Sequence, residues 1–180
     1  MNELQKNIFE VICSIILTRG ITENFKKEWQ DTKVINHGAI RYGYLNYIAR
    51  FSLANDNYFV TSNCKKYLIE NYFLDNKKLR RGKKSQKNKF TYEHPVPSNI
   101  VGDLILQSKD SKGKIKDILM RTNLVTVMTS EENSLLNKNK LGNRMPENWT
   151  FDSGDFFARY KESEIEIPSE RIKVHGAIAR

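Results

Sequence analysis

Glu93 and His94 are neighbours in FTYEHPVPSN, residues 90–99. A carboxylate is a hard oxygen ligand for a divalent cation, and a neutral imidazole can take a proton from water at ordinary pH. Adjacent residues on an extended strand point to opposite faces, so this pair can serve one site only where the strand ends and the backbone bends. Pro95 and Pro97 follow at once. They fix φ, remove two ladder donors and supply the bend, which stiffens the chain where the imidazole is presented.

The charge balance suggests what such a site would act on. The 180-residue chain carries 30 Lys and Arg against 21 Asp and Glu, a formal net charge of +9 and a pI near 9.5. A polyanion is the natural partner for that balance, although basic composition alone is weak and placement has to decide. Placement is informative here, because KKLRRGKKSQKNK, residues 77–89, holds eight Lys or Arg and no acid immediately before the Glu-His pair. Lys77, Lys78, Arg80, Arg81, Lys83, Lys84, Lys87 and Lys89 are thus candidates to hold a phosphate backbone, with binding that weakens as salt rises. The bland alternative is a solvated, mobile connector. Downstream, Arg144, Arg159, Lys138 and Lys140 lie where a substrate backbone would run, and each is otherwise an exposed solubilising charge. Hydrolysis of a phosphodiester needs a metal to gather anionic oxygens, a base to activate water and a group that orients the base. Glu93 and His94 offer the first two.

The elements that must position this pair can be traced along the chain. From Glu3 to Arg19 the apolar residues Leu4, Ile8, Val11, Ile12, Ile15 and Ile16 recur at helical spacing until Gly20. A short helix is expected over Glu23–Gln30 with Thr22 as its N-cap. Further helices are expected at about 39–54, with the stripe Ile40, Tyr44, Leu45, Ile48 and Phe51, and at about 63–73. Residues 1–76 therefore read as a helical region and 77–89 as a basic connector. Beyond it, FTYE reads as a strand, 98–121 as a helical insertion around Ile100, Leu104, Ile115 and Leu119, and LVTVM as a second strand. Thr129 and Glu132 stand at capping-box spacing and open a helix ending near Gly142. A mixed tail follows, in which Trp149, Phe156, Phe157 and Tyr160 are expected to form a small fastening core. His37 and His175 read as structural or surface histidines.

YEHPVPSN followed by TNLVTVMTSEENSLLN resembles the HNH, or ββα-metal, endonucleases, which include the target-strand nuclease domain of CRISPR effector proteins and many restriction and homing enzymes. The resemblance covers about residues 90–142. It implies an α+β chain whose N-terminal helical region precedes a ββα-metal nuclease unit, with residues 90–180 as the nuclease domain. By position it makes Glu93 a metal ligand and His94 the general base. It makes Asn123 the loop asparagine that fixes the backbone of the histidine segment, and Asn133 the helix residue that ligates the metal. Asn137 lies four residues on, on the same helical face, as the alternative or additional ligand. Oxygen ligands of these kinds suit Mg²⁺ or Mn²⁺ better than zinc.

The function so implied is a metal-dependent DNA endonuclease of the restriction or defence type. One ββα site cuts one strand, so double-strand cutting would need a homodimer or two successive nicks. The alternatives are a non-catalytic basic nucleic-acid-binding protein and an RNase toxin. Cys13 and Cys64 form no CxxC pair and read as buried, reduced thiols, so a reducing, cytoplasmic setting is expected. Neither a secretion signal nor a run of about 18 apolar residues is apparent, so no membrane partner is expected.

Overall fold

In a computed structural model, residues 1–17, 39–55, 57–72, 78–79, 90–108 and 111–174 are described. In chain order their elements are α1 (Glu3–Leu17), α2 (Ala39–Leu53), β1 (Asn57–Val60), α3 (Ser62–Tyr72), β2 (Lys78–Leu79), β3 (Phe90–Glu93), α4 (Ser98–Gln107), α5 (Lys112–Arg121), β4 (Thr126–Thr129), α6 (Ser130–Lys138), α7 (Ala158–Glu162) and β5 (Glu170–Val174). A 3₁₀ turn at Phe151–Ser153 precedes α7. The chain is a mixed α+β protein that divides into two compact units, one of residues 1–54 and 98–123, the other of 55–97 and 124–180. These units cut across the linear division at 76 and 89, because the helical insertion packs with the N-terminal helices while β1 and α3 join the sheet.

The first unit contains α1, α2, α4 and α5. Asn2 and Gln5 cap α1 reciprocally: the Gln5 amide nitrogen donates to Asn2 Oδ1 at 2.9 Å and the Asn2 nitrogen to Gln5 Oε1 at 3.1 Å. This satisfies two donors that a helix start leaves open. The buried face of α1 is Gln5, Ile8, Phe9, Ile12, Cys13 and Ile16. It is turned from the expected stripe, since Leu4 and Val11 stay exposed. Gln5 can be buried because its Nε2 donates to the Phe51 carbonyl at 3.1 Å. At Gly102 α4 approaches α2 so closely that an added Cβ would lie 2.8 Å from Leu45 Cδ2, and the Tyr44 hydroxyl donates to the Gly102 carbonyl. The helix expected at Glu23–Gln30 lies outside the described residues.

The second unit is built on a five-stranded sheet in the order β2-β5-β1-β4-β3. β4 is parallel to β1 and antiparallel to β3. Its Thr126, Val127 and Met128 are all buried, the continuous burial expected of a strand covered on both faces. β1 is a strand inside a region the sequence reads as all helical. Only four residues long, with alternating burial, it depends on distant partners in β4 and β5. β2, within the expected connector, pairs in parallel with β5. Thr129 and Glu132 form the expected capping box at the start of α6. Met128, Leu136, Leu141, Tyr160 and Ile165 form one buried cluster with Phe157 packed against it. Of the expected tail core Tyr160 is buried, and Trp149, Phe156 and Phe157 are half-buried, Phe157 against this cluster.

Candidate active site

β3 ends at Glu93, where its pairing with β4 also ends, at Thr126. His94 leaves the strand, and Pro95, Val96 and Pro97 turn inward and are buried. The bend expected from the two prolines is present, at the end of the β3–β4 pair where Glu93 and His94 stand. Both Glu93 and His94 are half-buried.

Arg159 holds this bend. Its side chain is wholly buried, whereas the sequence suggested an exposed charge. Nη2 donates to the His94 carbonyl at 2.6 Å and Nε to the Pro95 carbonyl at 2.9 Å. Nη1 donates to the carbonyls of Leu141 at 2.6 Å and Gly142 at 3.0 Å. Nη2 also pairs with Glu93 Oε1. A planar fork with five N–H donors is the side chain that can serve so many oxygens at once. Burial lowers the guanidinium pKa to about 10, partly offset by Tyr160, so Arg159 remains a cation at neutral pH. The one hint in the sequence is that this arginine stands within FFARY, among aromatic residues that themselves pack inward.

α6 lies against both β3 and β4. It starts beside the Phe90 end of the strand pair, because Phe90 pairs with Thr129 and the helix begins at Ser130. Nine helical residues rise about 13 Å, close to the roughly 13 Å covered by four strand residues. The C-terminal end of α6 therefore returns to the Glu93–His94 end of the pair, and the Arg159 bonds to Leu141 and Gly142 fasten it there. Lys140 takes a left-handed φ of 60°. The Leu141 nitrogen donates to the Leu136 carbonyl at 2.7 Å and the Lys140 nitrogen to the Asn137 carbonyl at 3.0 Å, closing the helix in a Schellman motif.

This geometry separates the two helix candidates. Asn137 is in the last turn, on the histidine side, and its Oδ1 stands where a Cβ on Gly142 would have to go. The glycine thus leaves the space that the amide fills. Asn133 is in the first turn, half-buried and farther from that end. Asn137, Lys140, Gly142, Asn143 and Arg144 line an open cleft of about 430 Å³. Lys138, Lys140 and Arg144 are exposed, as expected. Asn123 belongs to the first unit, where its Oδ1 accepts a hydrogen bond from Gln5 Nε2 at 3.3 Å.

Glu132 ties the same region to β1 and α3. Its carboxylate accepts from the Thr61 hydroxyl at 2.7 Å, from Asn63 Nδ2 at 3.3 Å and from the Thr129 nitrogen at 2.8 Å. Among the described residues, no three His, Cys, Asp or Glu side chains form a metal-holding group. The candidate oxygen donors on the end of β3 and on α6 are one carboxylate and two amides, types that suit a hard cation that completes its shell with water. The Arg159 pairing engages one oxygen of Glu93; a carboxylate has acceptor sites to spare for a second partner.

Of the basic tract, Lys77, Arg80, Arg81, Lys83, Lys84, Lys87 and Lys89 lie outside the described residues, as do His37 and His175, and Lys78 is described in its backbone alone. Cys13 and Cys64 are buried free thiols. No helix among the described residues is long and apolar enough to cross a membrane. The chain matches no protein-family model, no curated protein and no solved structure.

Proposed function

We propose that the chain is a divalent-metal-dependent DNA endonuclease of the HNH, or ββα-metal, kind, working in the cytoplasm in restriction or another defence role. What supports this reading is that one buried guanidinium, Arg159, bonds the His94 carbonyl at the end of β3 and the Leu141 carbonyl just past α6, so the segments that bear Glu93, His94 and Asn137 meet at a single side chain. Glu93 and Asn137 would hold Mg²⁺ or Mn²⁺, with Asn133 as the alternative helix ligand. When bound, the ion supplies Lewis-acid stabilisation of the charge that develops on the phosphate oxygens. Neutral His94 takes the proton from the attacking water, and the buried bend fixes the backbone from which the imidazole projects. The basic tract and Arg144 would hold the DNA backbone without reading sequence.

A second reading draws on the Glu93–Arg159 ion pair, which gives the carboxylate a structural partner. On that reading the chain is a basic nucleic-acid binder without catalysis. Supercoiled plasmid incubated with the protein and Mg²⁺ or Mn²⁺, with and without EDTA, separates the two. Metal-dependent nicking that falls by about 10²-fold or more in His94→Ala supports the endonuclease. Tight binding with intact plasmid supports the binder, and cleavage confined to RNA would support an RNase instead.

A further inference from the structure

We propose that Arg159 is the positioning residue of the His94 segment, its buried guanidinium setting the direction of the imidazole by holding the carbonyls of His94 and Pro95 and joining them to the loop at Leu141 and Gly142. In the endonuclease reading, on which its catalytic meaning rests, this is the task that the resemblance gives to Asn123.

The effect is conformational. A hydrogen bond to the His94 carbonyl fixes the peptide plane between His94 and Pro95, and hence ψ of His94. The pyrrolidine ring fixes φ of Pro95, and a residue before proline is already confined to extended backbone. The second bond, to the Pro95 carbonyl, fixes the next plane. Two consecutive planes are thus tied to one rigid, planar group, and the Cα–Cβ direction of His94 is set, leaving only its χ angles to the imidazole. The other edge of the guanidinium grips the loop that follows α6 and lines the cleft. One side chain therefore sets the spacing between the proposed base and the Asn137 end of the helix. A lysine cannot take this place, since its ammonium offers three donors from one atom in place of a fork.

The test uses the full chain and two variants. Arg159→Lys keeps the charge, and Arg159→Ala leaves room for guanidinium added to the buffer. The expected result for a folded Arg159→Lys is a fall in kcat for plasmid nicking of about a hundredfold, the cost of a misplaced reacting group, with KM for plasmid changed by about twofold at most. Its His94 ring signals in ¹H–¹³C spectra should shift, and guanidinium should restore part of the activity of Arg159→Ala. A folded Arg159→Lys with unaltered ring signals and turnover would overturn the proposal. Because either variant can fail to fold, the wild-type chain labelled with ¹⁵N-arginine provides an independent measurement. The Arg159 Nε–H should be protected from exchange and show contacts to Pro95; rapid exchange at neutral pH would sink the idea. Wild-type protein that leaves plasmid and RNA intact with every metal overturns the nuclease reading, while the ring and arginine signals still decide whether Arg159 positions the segment.

Discussion

Gly142 and Asn137 give the most local test of the site. Alanine at 142 would drive a methyl group into the space held by the Asn137 amide oxygen. Asn137 is exposed and can swing away, so the fold should survive while the amide leaves its place. The expected outcome is that Gly142→Ala and Asn137→Ala raise the Mn²⁺ concentration for half-maximal nicking similarly, by about tenfold, the scale of losing one supporting ligand contact. Asn133→Ala should have the smaller effect, and the reverse ranking would give the ligand role to Asn133. At this scale the sequence made Glu93 and His94 visible because they are contiguous and followed by prolines whose effect is local. The role of Arg159 was not legible beyond its place in FFARY, because nothing in a single arginine residue distinguishes a solvated charge from a guanidinium meeting four carbonyls. Its partners are supplied by segments far apart in the chain.

The helix ends decide much of the second unit's stability. Lys140 and Glu164 both adopt positive φ, 60° and 55°, where a side chain with a Cβ is strained. Each stands at the C′ position of a Schellman motif, and the paired hydrophobic residues, Leu136 with Leu141 and Tyr160 with Ile165, belong to one buried cluster. Lys140→Gly and Glu164→Gly should therefore each stabilise the fold by about 1 kcal/mol, read by denaturant unfolding. Glu132→Ala should act in the opposite direction, costing about 2–3 kcal/mol, because it removes the capping box and takes the acceptor from the buried Thr61 hydroxyl. A loss below about 0.5 kcal/mol would mean that these groups find other partners. The capping box was legible from Thr129 and Glu132 three apart. Lys140 and Glu164 as helix stops were not: α6 stops at Lys138, short of the glycine at 142 that marks its expected end, and it is the burial of Leu141 and Ile165 that forces each turn.

For the molecule as a whole, charge and buried thiols set the response to solvent. Burial pushes the Cys13 thiol up to about 11 and the Cys64 thiol up to about 12, from a usual 9.0. A folded pKa above the unfolded one gives stability that is complete below pH 9 and is lost as pH rises through 11 to 12. Burial moves the phenols of Tyr44 and Tyr160 the same way from 10.0, whereas Arg159, lowered to about 10, contributes with the opposite sign above that pH. Unfolding free energy should begin to fall near pH 9, and the Cys13→Ala, Cys64→Ala double variant should move the onset to near pH 10. The net charge of +9 bears on the other response. If Lys83, Lys84 and Lys87 contact phosphates, replacing all three with alanine should reduce the slope of log affinity for plasmid against log salt by about 3. An unchanged slope would take the tract out of the interface.

By itself the sequence determined what depends on neighbours along the chain: the helical runs, the proline-stiffened end of β3, the Thr129–Glu132 cap and the order strand, strand, helix. Tertiary structure alone decided that residues 98–123 pack with the N-terminal helices, that Asn57–Val60 is a strand, which face of α1 is buried, and that Arg159 lies inside. The physical reason is common to all four. Each depends on the free energy of bringing distant segments together and satisfying their polar groups, and no local pattern of residues carries that quantity.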